Sequence, residues 1–166
     1  PNSVLAKVGV GGAVCLYSLA ATDLVVDVNG FVPAGGGLVP VVPARVLETR
    51  SGVGDVTVDG LFEGVGPVAA GGVVELVVAG RGGVPVGASA VVLNVTAVGP
   101  AGAGFVTVFP CGAERPLASS VNYVAGEVVP NSVLAKVGVG GAVCLYSLAA
   151  TDVVVDFTGY AVDGGQ

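Results

Sequence analysis

The residues able to do chemistry are few, and histidine is not among them: the 166 residues contain none. That removes histidine-based zinc sites, Ser–His and Cys–His nucleophile pairs and the usual near-neutral base. Among the 12 acidic residues, Asp152 and Asp156 draw notice because Asp23 and Asp27 repeat them. At the strand period of two, Asp152, Val154 and Asp156 share one face, and Val153, Val155 and Phe157 point to the other. Two carboxylates at a strand end are suitable hard ligands for calcium. The competing reading is structural: one Asp caps a turn, and Asp156 pairs with Arg45 or Arg50. A charge in so apolar a strand must be compensated. Without the dense Asp/Asn/Gly run of a dedicated calcium loop, the ion pair is the preferred expectation, and no other cofactor is implied.

Lys7 and Lys136 are the only lysines, and each lies in an apolar run. A buried lysine beside Asn94 or Asn122 could form an isopeptide crosslink. A lysine on the solvent side of a strand, discouraging edge pairing, is the plainer expectation. Tyr123 and Tyr160 could contribute to a shallow glycan site, although a chain without Trp makes a poor stacking platform. Nothing resembles an acid–base pair or an activated nucleophile, so the chain is not expected to be an enzyme.

The three cysteines make sense only through a repeat. Residues 1–23 and 130–152 are identical, and LVVDVNGFV at 24–32 stands against VVVDFTGYA at 153–161. Cys15 is thus the copy of Cys144, and each full unit owns two cysteines, as an oxidised extracellular module would. Cys111–Cys144 is the simplest disulfide. Cys15–Cys111 is the alternative if the folded unit starts at Pro1, and buried free thiols are the third reading.

The elements that must position these residues are strands. Val73–Ala79, Ala88–Val98, Gly104–Phe109, Ser119–Val124, Ser132–Val139, Ala142–Ser147 and Asp152–Tyr160 are short, β-branched and bounded by Gly or Pro. Arg45–Arg50 is a further candidate, and copies are expected near the N-terminus. No 12-residue window carries a helical stripe free of Gly, so the chain reads as all-β. An antiparallel β-sandwich is favoured, with a small β-barrel or β-trefoil as alternatives. The Pro/Gly-rich stretch 33–43 reads as a linker, followed by one complete unit over 38–161 and the start of the next linker at 162–166. Residues 1–32 are then expected to be the C-terminal third of a preceding repeat. A 129-residue period means one domain per repeat rather than a solenoid turn.

Composition excludes several partners. The formal net charge of −6 with six basic residues argues against nucleic acid. Mean hydropathy is high at +0.90. Yet the apolar runs are broken by Gly and fall short of the ~20 residues a spanning helix needs, so membrane insertion is not expected.

Several motifs occur together and in order: PARVLETR (43–50), AGRGGVP (79–85), VVLNVTAVGPAGAGFVTVFPCG (91–112), RPLASSVNY (115–123) and GAVCLYSLAATDVVVDFTGY (141–160). They resemble a tandem module of large secreted, cell-surface proteins of actinobacteria. That module opens on P-x-R-L-L-D-T-R and closes on T-D-V-x-x-D-V-x-G-Y-F. The likeness covers 38–161, with Glu48 where the family usually has Asp and Ala161 in place of an aromatic. It implies an exported surface module and supplies no catalytic residues.

With only 11% charged residues, the surface suits packing against neighbours better than life as an isolated monomer. The expected function is therefore structural: a repeat unit of an extracellular stalk, adhesin stalk, filament or surface coat, whose partners are adjacent copies of itself. A module binding cell-wall or host polysaccharide is the alternative.

Overall fold

The computed structural model describes residues 3, 8–32, 37–54 and 56–162. Lys7 and the linker positions 33–36 and 163–166 lie outside the described residues. Eight strands form the body: β1 (Leu38–Glu48), β2 (Val73–Val77), β3 (Ala88–Val98), β4 (Gly104–Pro110), β5 (Val121–Tyr123), β6 (Val128–Lys136), β7 (Ala142–Ser147) and β8 (Asp152–Val162). They make two four-stranded antiparallel sheets, in the orders β1-β8-β3-β6 and β2-β7-β4-β5. Each sheet keeps two free edges, so the molecule is a sandwich rather than a closed barrel or a trefoil.

The residue types explain this layering. In β3, Val91, Leu93, Val95 and Ala97 alternate inward and are fully buried. In β8, Val153, Val155 and Phe157 do the same, leaving Asp152 and Asp156 on the outer face. Leu76, Val106, Val121, Val143 and Leu145 answer from the second sheet, closing one continuous core. In the first sheet prolines keep to the edge strands, where a missing N–H breaks no ladder. Pro130 lies in edge strand β6, while Pro40 and Pro43 lie in edge strand β1 at a break in its register with β8. The paired central strands are rich in Val and Leu.

Residues 8–32 depart from expectation. They form no strand, only a 3-10 turn at Val10–Gly12, and they are exposed throughout. Their copy, within β7 and β8, is buried or half-buried at nearly every strand position. Two closely similar sequences thus take different states, because a strand is stable only when a sheet receives it. The turn itself is local and survives in both copies. Gly9 N–H donates to Ala13 O at 2.8 Å, as Gly138 N–H does to Ala142 O at 2.9 Å.

Candidate functional site

The densest polar arrangement begins at the end of β1, where the carboxylate of Glu48 is fully buried. Arg50 donates to it three times, through Nε (2.8 Å), Nη2 (2.8 Å) and its backbone N–H (3.1 Å). Arg45 adds Nη1 at 3.2 Å and turns its Nε to Asp156 of β8 at 3.0 Å. Such charge-assisted bonds favour the ionised acid. The Arg50 side chain accordingly holds the Glu48 pKa below its ordinary 4.5, against the opposing pull of burial. Beside them, the Thr49 hydroxyl donates to Asp152 at 2.7 Å and accepts from Val153 N–H at 2.8 Å. The PARVLETR stretch therefore clamps edge strand β1 to central strand β8.

A second brace ties the loops to this edge. Arg81 is almost buried, and its guanidinium grips Asp59 through Nε (2.7 Å) and Nη2 (2.8 Å). It also donates to Val77 O at 2.8 Å and Val46 O at 3.0 Å, and lies over the Phe62 ring at 5.0 Å. One side chain thus joins β1, the end of β2 and the loop carrying Asp59. Its hydrogen bonds hold the Asp59 pKa down at about 2.

Cys111 and Cys144 form the disulfide, and Cys15 is free and exposed. The bond lies on the outer face of the second sheet with Phe109, Ala142 and Tyr146. A disulfide indicates a non-reducing environment. The turn before β7 packs directly on it: Val139 N–H donates to Cys111 O at 2.9 Å, and a Cβ at Gly138 would collide with the Cys111 backbone.

The remaining sequence candidates separate. Arg45 meets Asp156, whereas Arg50 is engaged by Glu48. A calcium ion at Asp156 would have to displace a guanidinium, and Asp152 is held by a hydroxyl. Among the described residues no group of three or more His, Cys, Asp or Glu is placed to hold a metal. Lys136 is exposed on β6 opposite Ala90, while Asn94 stands opposite Ser132. That register keeps the two roughly 13 Å apart along the ladder, so they are not brought together for a crosslink. Tyr123 is no sugar platform, because it is buried with its hydroxyl 2.7 Å from Ser147 Oγ. Tyr160 is half-buried, and the face of Tyr146 is covered by Arg115 at 4.2 Å.

Sequence reasoning missed Glu48 and the Arg81–Asp59 pair as structural centres. The signal for Glu48 was present: an acid flanked by two arginines within PARVLETR, in a chain where charge is scarce. Asp59 and Arg81 are 22 residues apart and carry no such local sign. Among the described residues, Arg45, Arg50 and Arg81 are committed to internal pairs with Glu48, Asp156 and Asp59. Comparison with protein-family models, with curated proteins and with solved structures gives no match to this chain.

Proposed function

We propose that residues 38–161 are one structural repeat of an extracellular, tandemly repeated surface protein that acts by packing against copies of itself. The observation that carries this reading is the duplication. The sequence ahead of β1 repeats the residues that build the turn, the disulfide strand and the Asp-bearing strand, so the chain encodes part of a second such unit. The disulfide fits an oxidising location. The ionic groups brace the fold instead of facing a cleft, which suits a non-catalytic role.

The topology refines the kind of assembly. Leu38 at the start of β1 pairs with Ala161 near the end of β8. Both ends of a unit therefore leave from the same end of one sheet. Units joined by short linkers would lie side by side, which favours a laterally packed coat or fibre over an end-to-end stalk. Sedimentation and electron microscopy of a chain carrying three units test this. Compact lateral rows or sheets are expected. Strict monomers at high concentration, or fully extended rods, would refute it.

A further inference from the structure

The repeated third of the sequence is central to the sandwich. Residues 130–161 supply most of β6 and one inner strand of each sheet, β8 and β7. Without them β1, β2 and β3 lose every strand partner, and only β4–β5 survives. One copy is therefore required for the fold. The other stands ahead of β1, with Val10, Tyr17, Leu19 and Val25 between 87% and 103% exposed. Apolar surface in that quantity calls for a cover.

We propose that residues 8–32 are a second occupant of the slot now held by residues 137–161. They enter it on their own chain, giving a circularly permuted sandwich locked by a Cys15–Cys111 disulfide.

The copy preserves nearly every residue the slot reads. Gly9 stands for Gly138, where a Cβ would strike the Cys111 backbone, and Gly30 stands for Gly159, where one would come within 3.0 Å of Val39 O. Ser18 stands for Ser147, partner of the Tyr123 hydroxyl, and Asp23 for Asp152, partner of Thr49. Asp27 stands for Asp156, partner of Arg45. The turn that opens the segment is already formed in both copies.

Connectivity fits as well. Val32 corresponds to Ala161, which lies opposite Leu38 in the β1–β8 ladder. Only positions 33–37 separate Val32 from Leu38 in sequence. That spacing is a hairpin length, so the exchange needs no long crossing. The covalent step needs no external oxidant. A Cys15 thiolate attacks Cys111 Sγ of the existing disulfide, the Cys111–Cys144 bond breaks, and Cys144 leaves as the thiolate.

What distinguishes the occupants is their core. Phe157, fully buried, is Val28 in the first copy, and buried Val153 is Leu24. Losing a packed ring leaves a void, so the second copy holds the slot in the described state. The first copy precedes the body in the chain, and so it reaches the body first during synthesis.

This proposal stands apart from the coat reading, since it concerns one chain at high dilution. The full chain is unfolded in urea with a glutathione redox pair, refolded at high dilution, alkylated and mapped by mass spectrometry without reduction. Wild type is expected to give mainly Cys111–Cys144, with Cys15–Cys111 as a minor monomeric product and Cys15–Cys144 below both. Exchanging the core residues (Val28→Phe with Phe157→Val) should raise the Cys15–Cys111 to Cys111–Cys144 ratio at least about tenfold, as expected when a buried ring moves between competitors. Val28→Phe alone keeps the present core intact and should move the ratio the same way. An unchanged ratio in both variants overturns the proposal, as does a Cys15–Cys111 bond found only in covalent dimers.

Discussion

Glu48→Gln tests whether the clamp between β1 and β8 holds the fold. The change keeps the side-chain shape but removes the charge and turns an amide NH2 toward guanidinium donors. Glu48 is fully buried, while Arg45 and Arg50 are 27% and 29% exposed and so retain some water. Breaking a fully buried pair costs 3–5 kcal/mol, so with partly wet partners a loss of about 3 kcal/mol is expected at pH 7. For a body of this size that corresponds to a melting point lower by about 10 °C. The pH dependence has a definite sign. The folded pKa of Glu48 lies below its unfolded value near 4.5, so the stabilisation is complete above that value. It is lost as pH falls through the folded pKa. Urea unfolding of wild type and variant from pH 7 to pH 2.5 should show a gap that narrows on acidification. A gap below about 0.5 kcal/mol at pH 7, within the ordinary effect of a surface substitution, would refute the clamp. A gap that widens in acid would refute the charge argument.

Further outcomes follow from the same contacts. Asp59→Asn should destabilise the chain at neutral pH, with the deficit fading as pH drops from near 3.8 toward about 2, read by thermal melts across that range. Replacing Cys111 and Cys144 together by Ser opens a link between residues 33 apart in sequence and should cost about 3–4 kcal/mol by chemical denaturation. Tyr123→Phe removes the hydroxyl that accepts from Ala149 N–H at 3.1 Å, and should cost about 1–3 kcal/mol in the same measurement. If units associate through apolar surface, adding salt should strengthen association by screening their common negative charge, since the Debye length falls to about 10 Å at 0.1 M. Sedimentation at low and high ionic strength checks the direction.

The strand pattern was legible because each strand carries its own evidence. Ala88–Val98 and Ala142–Ser147 have the same bounds in sequence and structure; the first is fixed by Gly87 and Gly99 with β-branched residues between, and the second opens directly after Gly141. The disulfide was legible through the repeat, which turned three cysteines into two per unit. The fate of residues 8–32 was not. Strand propensity is a local property, whereas strand formation needs a partner, and the two copies contend for one place. The copies are also less equal than their identity over 23 residues suggests. Two fully buried positions, Phe157 against Val28 and Val153 against Leu24, separate them, and their weight is visible only once the core is known. The Asp59–Arg81 brace escaped for a related reason: it joins two loops whose meeting the strand pattern does not specify.

The charge arrangement bears on how units meet. Of six basic residues, Arg45, Arg50 and Arg81 are committed to internal pairs with Glu48, Asp156 and Asp59. Removing three bases from six and three acids from twelve leaves three bases and nine acids, the same net charge of −6, for the rest of the chain. Arg115, one of those three bases, lies over Tyr146 beside the disulfide. A surface so poor in cations offers few opposite-charge contacts between copies. It still exposes Val42, Val86, Leu117 and Val139. If units associate as proposed, their contacts would fall to apolar side chains and sheet edges, with the weak common charge setting salt dependence instead of specificity. Specificity would come from the one surface that reads sequence closely, the slot between β1 and β3 that holds β8. Any copy entering it must carry an Asp for Arg45, a Gly beneath Val39 and an apolar core residue at the position of Phe157.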